Sequence, residues 1–474
     1  MKRNILIQLS LCAVLLLTGC EKLLEINPKQ SIDSSEALTN EEGIHAALIS
    51  VYARLQNYTL YGRDYLALSE ALSDNAIHTS NASHLTNEAM NGRNAHFDNW
   101  QVAYYAINQA NLVIDAVHAG SYGEKWKATI LGQAYFLRAL CYHDLVRVYA
   151  YDPTALIDEY NYGGVPLMLV GVDDISKIGS LKRAPIAEVY DQIYKDLDLA
   201  HENLGAGNET VAPHRATQAA VSALYARVAL YRGDYPTAVD MADRALTETK
   251  AVFSTQATYV SDWLKQVHPE SIFELKFNIS ENVGADRSLR STYTSRATYD
   301  ATTFTIQAVI AVDPLFYDLY EPNDVRRELI RKGVGKSDTF WEMYKFISKN
   351  GTPNLDNVPI LRLSEVYLNR AEALYHQGPS YYPEALEDLN KIRTRAGLSV
   401  VSLSGDALLE EILLQRRFDL AFEGHRWFDL KRNGLDVIKA TGNVLFTDYR
   451  ILARIPIREV DADEDLELKQ NYNY

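Results

Sequence analysis

Apolar residues recur at every third or fourth position along much of this chain, with charged and polar residues between them. Val189, Ile193 and Leu197 are one clear example. A helix with one apolar face buries that face against its neighbours, so the pattern predicts a mostly helical protein. The predicted helices span residues 100–118, 124–149, 185–203, 217–231, 236–247, 364–376, 383–396 and 406–423.

Strand signals are few. Runs of β-branched and aromatic residues predict strands at residues 271–277 and 344–347, with a weaker signal at 452–457. Two long stretches rich in Ser, Thr, Asn and Gly, at residues 73–99 and 278–305, separate the regular elements. In a compact protein, loops of this length are usually either functional or disordered. They are therefore the first places to look for a binding site.

Two pairs of predicted helices carry the spacing of small and aromatic residues that is typical of tetratricopeptide repeats. These residues are Ala226, Gly233, Tyr235, Ala238, Ala245 and Leu246 in the first pair, and Ala371, Tyr382 and Ala385 in the second. The second pair has extra residues in its turn, and the two copies are far apart along the chain. We therefore expect a few helical hairpins with large insertions rather than a continuous solenoid.

The N-terminus resembles a bacterial lipoprotein signal peptide. Two basic residues precede an apolar run over residues 5–17, which is shorter than the roughly 20 residues that a transmembrane helix needs. Leu17-Thr18-Gly19-Cys20 then resembles a lipobox, the motif whose cysteine is acylated and before which the chain is cleaved. This predicts a signal peptide over residues 1–19 and a lipidated leash over 20–35. An ordinary signal peptide with a chance cysteine is the alternative.

The rest of the chain, residues 36–474, is expected to form one domain. Its part up to about residue 250 is rich in helical repeats, its part over 251–474 is rich in loops, and the two are interleaved. Once Cys20 carries lipid, Cys141 is the one free thiol, so no internal disulfide is expected. Cys141 lies in an apolar helical segment and is expected to be a core residue.

Charge and motifs exclude several classes of function. The formal net charge is −15, and removal of the two basic residues of the signal peptide leaves 45 basic and 62 acidic residues, or −17. Such an acidic chain is not expected to bind nucleic acid. No Gly-rich phosphate loop and no His-x-x-x-His or Cys-x-x-Cys spacing is present, so no cofactor or metal is expected, although a calcium ion in an Asp-rich loop stays open.

One run near the C-terminus resembles a family signature. It is Gln415–Arg432, QRRFDLAFEGHRWFDLKR, and matching segments elsewhere are LLE after Cys20, AYFLRA at 134–139, GGVPL at 163–167, LRLSEVYLNRAEA at 361–373 and IPI at 455–457. In this order they resemble the SusD/RagB family, surface lipoproteins of Bacteroidetes nutrient-uptake systems. The family usually has Glu where this chain has Asp419, which keeps the charge.

The same run has a physical interpretation. It predicts that a helix breaks at Gly424 and that a short second helix follows, over residues 425–432. The crowded charges of both signs are expected to form a buried ion-pair network that fixes this hairpin, rather than a catalytic site. These charges are Arg416, Arg417, Asp419, Glu423, Arg426 and Asp429.

The resemblance implies a SusD-like fold, mostly α-helical, with tetratricopeptide-type hairpins, loop-rich insertions and few short strands. It implies a cell-surface lipoprotein of the outer membrane, anchored in lipid through acylated Cys20. Such a protein captures a nutrient, commonly a glycan, and delivers it as a lid to a SusC-like TonB-dependent transporter, without catalysis. The alternatives are a surface glycoside hydrolase, a scaffold that binds only protein, and a binder of peptides or glycoproteins.

Ligand residues are expected on the long loops, because sites in this family use aromatic platforms there. An aromatic ring packs against the C–H face of a sugar, and Asn, Asp or Arg side chains bond its hydroxyls. Trp341 is the best candidate platform, and its alternative role is a core residue beside a strand. The remaining candidates are Tyr293, Arg296 and Tyr299 on loop 278–305, and Asp74 and Asn75 on loop 73–99.

Overall fold

The computed structural model describes residues 38–174, 182–205, 213–304, 307–462 and 468–474. Cys20, the predicted signal peptide and the predicted leash lie outside these residues. Within the described ranges, no helix combines the length and the apolar character needed to cross a membrane.

Helices dominate the described residues. They are α1 (Glu41–Leu55), α2 (Asp64–Ala71), α3 (Thr86–Ala89), α4 (Trp100–Ala119), α5 (Glu124–Tyr149), α6 (Ile186–Asn203), α7 (Gln218–Arg232), α8 (Tyr235–Glu248), α9 (Tyr259–Trp263), α10 (Leu289–Tyr293), α11 (Pro314–Tyr317), α12 (Leu363–His376), α13 (Tyr382–Ala396), α14 (Asp406–Asp419), α15 (Arg426–Arg432) and α16 (Ile457–Asp461). The strands are β1 (Ala76–His78), β2 (Ser271–Leu275), β3 (Ile310–Val312), β4 (Ile330–Lys332), β5 (Trp341–Met343) and β6 (Val358–Arg362).

The predicted helices all form, and the SusD-like, mostly helical fold class is confirmed. Seven of the eight predicted helices agree with the structure to within one residue at each end. The eighth, α14, ends at Asp419 rather than at 423, because the backbone turns left-handed at Phe422 and Gly424 (φ 63° and 88°).

The long helices pack into one continuous array. α1 packs on α4, and the contacts run on through α5, α6, α7 and α8. α8 then packs directly on α12, although residues 249–362 separate them in sequence. Ala229, Ala238 and Ala373 are fully buried where α7, α8 and α12 meet, and such small side chains allow close approach. The array is thus more continuous than the sequence predicts, because the intervening segment is looped out between two neighbouring hairpins.

Helix α5 lies at the centre of the array and is buried on every side from Ile130 to Tyr149. Its charged residues are paired inside the core: Arg138 holds Asp196 of α6 at 2.6 Å, and Arg147 holds Asp144 at 2.7 Å. Cys141 is buried here, and this burial raises the pKa of its thiol well above the usual value. The prediction of a core cysteine is therefore confirmed.

The strands form two small antiparallel sheets. A four-stranded sheet has the order β1-β3-β5-β4, and β2 pairs with β6. β2 confirms the strand predicted at 271–277, although it ends at Leu275. The strand predicted at 344–347 is displaced, since β5 ends at Met343. The strand predicted at 452–457 is wrong: a 3-10 turn at Tyr449–Ile451 precedes it, and its last residue, Ile457, begins α16.

The charges of the signature run are largely buried, as expected, but most of their partners come from elsewhere. Within the run, Arg416 pairs with Asp429 at 2.8 Å. Glu423 instead accepts from Lys345 Nζ and from Arg362 Nε, both at 2.6 Å. The network therefore ties the C-terminal helices to the strand ends rather than only to each other.

Asp419 belongs to the same buried network. Its carboxylate pairs with Arg395 and with Arg362. Burial alone would raise the pKa of Asp419, but the surrounding arginines outweigh it and hold that pKa well below its usual range. The Asp419 carboxylate is therefore ionised in the fold, and it keeps the negative charge of the family's usual glutamate.

Candidate functional site

The four-stranded sheet organises the two long loops. β1 lies within loop 73–99, and β3 begins shortly after loop 278–305. β3 pairs with both β1 and β5, through His78 opposite Ile310 and Val312 opposite Trp341. Both loops are thereby brought beside the β4–β5 hairpin, which carries Trp341, the predicted platform for a sugar ring.

Trp341 lies in a column of alternating rings and cations. Its indole stacks on the Tyr317 ring, with centroids 4.0 Å apart and planes 17° apart. Lys332 Nζ lies 4.2 Å from the Trp341 centroid, and the Arg327 guanidinium lies 4.6 Å from the Tyr317 centroid. Because one face of each ring is taken by the other ring, each cation covers the remaining face. We call these four residues the hairpin stack.

Two further predicted residues lie beside the hairpin stack. The Arg331 guanidinium lies 4.5 Å from the centroid of Tyr299 and donates to the Tyr299 carbonyl oxygen at 3.1 Å. Arg296 donates from Nη2 to the carbonyl oxygen of Lys332 at 3.4 Å. The structure therefore brings Trp341, Tyr299 and Arg296 together, and Tyr299 and Trp341 are both half-buried.

A polar cavity of about 310 Å³ lies between the turn before α2 and the loop around α3. Tyr58 supplies an aromatic ring at this cavity, and the Arg287 guanidinium lies 4.2 Å from its centroid. Burial raises the pKa of the Asp64 carboxyl, and burial lowers the pKa of His96 to about 3. The lining residues are Tyr58, Thr59, Arg63, Asp64, Leu68, Ser83, His84, Leu85, Thr86, Asn87, Glu88, His96 and Asp98.

The cavity and the hairpin stack share their loops. Asn81 donates from its amide to Ser337 Oγ at 2.7 Å, which joins the cavity loop to the β4–β5 turn. Arg63 donates to the carbonyl oxygen of Asp286 at 3.1 Å, which joins the cavity to loop 278–305. We call the surface made by residues 57–64, 79–98, 282–304 and 314–343 the loop face. Leu315 and Leu319 expose 74% and 48% of their surface on it.

Tyr293 and Asn75 require correction as ligand candidates, because both are fully buried. The Tyr293 ring packs edge-on against Phe422, with centroids 5.0 Å apart. Asn75 donates to Glu70 Oε2 and accepts from Arg417 Nε, each at 2.8 Å. Neither side chain can meet a ligand from outside in this structure.

Asp74 is also engaged internally. Arg426 donates to both of its carboxylate oxygens, and Arg417 pairs with it at 3.2 Å. These contacts fix the chain just before the start of β1. Asp74 is half-buried, so its contacts favour a structural role, and its role in ligand binding stays a prediction.

Two family models match this chain. A family model described as SusD family matches residues 326–474, and a second, described as starch-binding and associating with the outer membrane, matches residues 22–230. The chain belongs to the SusD/RagB family. The first match contains the signature run and Arg327, Lys332 and Trp341 of the hairpin stack, and the second contains the cavity loops.

Individual relatives agree with the SusD/RagB assignment. SusD-like protein P2 of Formosa agariphila is 27% identical, over 88% of this chain and 89% of that protein. The starch-binding protein SusD of Bacteroides thetaiotaomicron is 36% identical over 157 residues, which is 30% of this chain and 26% of that protein. A solved structure of a putative sugar binding protein from Bacteroides vulgatus has a TM-score of 0.77 and 26% identity, and the match covers 91% of this chain and 98% of that one.

The sequence Glu423-Gly424-His425 in the SusD signature is structural. Both oxygens of the Glu423 carboxylate accept from buried cations, and His425 is buried, which lowers its pKa well below the usual value. No group of three or more His, Cys, Asp or Glu side chains within the described ranges is placed to hold a metal ion. The loop face offers rings, cations, amides and hydroxyls, and its cavity also has carboxylates, those of Asp64, Glu88 and Asp98.

Sequence reasoning missed Tyr317, Lys332, Arg327 and Tyr58. A signal for one of them was present, since Ile330-Arg331-Lys332 and Trp341-Glu342-Met343 flank a turn with two glycines, as a β-hairpin would. In that hairpin Lys332 is the partner of Trp341. Tyr317 and Tyr58 carry no local signal, because packing between distant segments places them.

Proposed function

We propose that this chain is a cell-surface lipoprotein that captures an oligosaccharide on its loop face and delivers it to a TonB-dependent outer-membrane transporter. The observation that carries the proposal is the loop face itself, where half-exposed rings, cations and a polar cavity lie together in a SusD/RagB protein. Glycan sites combine apolar ring surfaces with a few placed polar groups, which this surface offers. The starch-binding relative and the sugar-binding structural relative support the same class of ligand.

Delivery is a separate part of the proposal. The helical array offers a broad surface built from paired helices, and such repeat surfaces are commonly used to bind other proteins. Acylation of Cys20 would keep this surface at the outer membrane, next to a SusC-like transporter. The family's association with the outer membrane supports this placement.

The capture step is tested with the mature lipoprotein, purified in detergent, and a panel of polysaccharides. We expect binding to at least one of them, and we expect Trp341→Ala to weaken it. Tyr105→Ala is the matched control, because Tyr105 is an exposed ring (51%) on α4, outside the loop face. Binding that Tyr105→Ala weakens and Trp341→Ala does not would contradict the proposed site.

The same preparation separates the alternatives. Products released from a bound glycan by the pure protein, and lost on substitution of one loop-face carboxylate, would identify a glycoside hydrolase. Absence of all glycan binding while a transporter still co-purifies would identify a protein-only scaffold. Binding of peptides in place of glycans would identify a peptide receptor. If no TonB-dependent transporter co-purifies with the protein from native membranes, the proposed delivery is contradicted.

A further inference from the structure

Four half-exposed rings of the loop face each have a cation over them, whereas Phe304 and Phe340 on the same surface do not. The pairs, with the distance from the cation to the ring centroid, are Tyr58 with Arg287 (4.2 Å), Tyr299 with Arg331 (4.5 Å), Tyr317 with Arg327 (4.6 Å) and Trp341 with Lys332 (4.2 Å). A neutral sugar packs its C–H face on a bare ring face. In the hairpin stack both faces of both rings are occupied, so that mode requires displacement of Lys332 or Arg327.

We infer that the loop face takes an acidic glycan, one that carries uronate carboxylates or sulfate esters, in preference to a neutral one. The inference rests on the proposed function, since it names the class of glycan that the same surface captures. The four cations, Arg287, Arg327, Arg331 and Lys332, are the groups that meet the anion.

These four cations have no carboxylate partner. Buried cations elsewhere, such as Arg362 and Lys345, each hold a carboxylate within 3 Å. In contrast, across the described ranges none of the four loop-face cations forms an ion pair within 4.0 Å. The exposed acids on the same segments form no ion pair with them either; these acids are Asp286, Asp300, Asp318, Glu321, Glu328 and Asp338. Arg287 attracts the Asp64 carboxylate from beyond that distance, so a bound anion would be the first partner of these cations at ion-pair distance.

The geometry leaves donors free for such an anion. A guanidinium that lies flat on a ring still presents its N–H edge outward, and that planar edge matches a carboxylate or sulfate in two parallel hydrogen bonds. Arg331 uses Nη1 on the Tyr299 carbonyl oxygen, which leaves its other N–H groups available. Lys332 donates one of its three protons to the Thr339 carbonyl oxygen at 2.6 Å. The rings hold the cations in place before the ligand arrives, which reduces the entropy lost on binding.

The net charge of the protein excludes one simple explanation for binding of an acidic glycan. At a net charge of −15 the protein repels a polyanion at long range, so general electrostatic attraction does not explain binding of an acidic glycan. Such binding requires the local cluster. Because the cations are exposed or half-exposed, salt screens their attraction for the ligand.

The experiment uses the mature lipoprotein in detergent and pairs of polysaccharides that differ only in charge. The acidic members are polygalacturonate, alginate and chondroitin sulfate, and the neutral members are their carboxyl-reduced or desulfated forms, with starch and laminarin added. Affinity is measured at 50 and 500 mM NaCl. We expect an acidic member to bind, its neutral form to bind at least about ten-fold more weakly, and the higher salt to weaken binding about ten-fold.

Two double variants complete the design. Arg331→Gln with Lys332→Gln should weaken acidic-glycan binding at least about ten-fold, by loss of two charge-assisted contacts. Lys125→Gln with Lys250→Gln removes the same charge from exposed positions outside the loop face and should leave binding unchanged. Lys332→Gln alone, at an exposed side chain, serves as a milder variant, and the midpoint of thermal unfolding confirms that each protein is folded.

The outcomes separate the two claims. Binding of starch, laminarin or another neutral member with an affinity that salt leaves unchanged would overturn the acidic-glycan inference and support glycan capture. Equal loss of binding in both double variants would also overturn the inference, because the effect would then follow net charge. Binding of no glycan by folded protein would overturn the proposed capture function itself.

Discussion

Arg426 donates two parallel hydrogen bonds to Asp74, from Nε to Oδ1 at 2.7 Å and from Nη2 to Oδ2 at 2.8 Å. The two residues are 352 positions apart. One lies in the family signature, and the other immediately precedes the strand region that leads into the cavity loop. The signature run therefore fixes the chain just before the cavity loop, although the run itself is not part of the loop face.

The first prediction concerns this contact. Asp74→Ala leaves Arg426 and Arg417 without their carboxylate at positions that are about 15% exposed, so we expect the free energy of unfolding to fall by about 1–3 kcal/mol. Urea denaturation measures the loss. Asp300→Ala, an exposed acid on the loop face, is the control and should cost little. Unchanged stability with lost glycan binding would instead return Asp74 to the ligand site.

Glu70 predicts a pH dependence of stability. Its carboxyl is fully buried, and this burial raises its pKa from 4.5 to about 7, despite the hydrogen bond from Asn75. The unfolded chain releases this proton near pH 4.5, whereas the folded chain keeps it until about pH 7. The contribution is therefore present below pH 4.5 and is lost as the pH rises towards 7, by about 3 kcal/mol in total.

The matched variants isolate this contribution. Glu70→Gln should remove the fall in stability between pH 4.5 and 7, measured as the difference from the unmodified protein. Glu42→Gln, at an exposed position in α1, should leave the profile unchanged. Parallel profiles for Glu70→Gln and the unmodified protein would show that Glu70 is ionised in the fold.

The positions of Glu70, Tyr293 and Tyr299 show which features of the structure the sequence does not predict. Periodicity places seven of the long helices to within a residue at each end, but it runs past the end of α14 and leaves α1 unpredicted. It does not separate Tyr293, fully buried, from Tyr299, half-buried six residues later, because α10 is a single short turn and the backbone after it is irregular, so neither shows a repeating face. Strands of three residues, such as β3, are too short to show alternation. The hairpin stack likewise depends on pairing between distant segments.

Trp341 provides the direct test of the binding surface. Trp341→Ala removes half of the stacked pair and the support for Lys332, so we expect ligand affinity to fall by about 1–3 kcal/mol, the cost of losing a hydrogen bond to a charged group. Calorimetry with the glycan that binds measures this change. Trp341→Phe should recover part of the affinity, because it restores a ring at the same position. Full affinity in Trp341→Ala would exclude the hairpin stack from the site.

Lipidation has its own test. Cys20→Ala removes the predicted acylation site, so labelled palmitate should no longer enter the protein. Cys141→Ala is the control, because that thiol is buried in α5 and should not affect labelling. Label that persists in Cys20→Ala would mean that the chain is acylated at another residue, and absence of label from the unmodified protein would indicate an ordinary signal peptide.

The direct packing of α8 on α12 also has a consequence for export. The contact closes a loop of more than a hundred residues, between Glu248 and Leu363, and contacts of such high sequence separation form slowly. In the proposed export the N-terminal helices would leave the inner membrane first, before the neighbour of α8 has emerged. We therefore expect the chain to stay loosely folded until its last third has crossed, which suits transit through a narrow translocation channel.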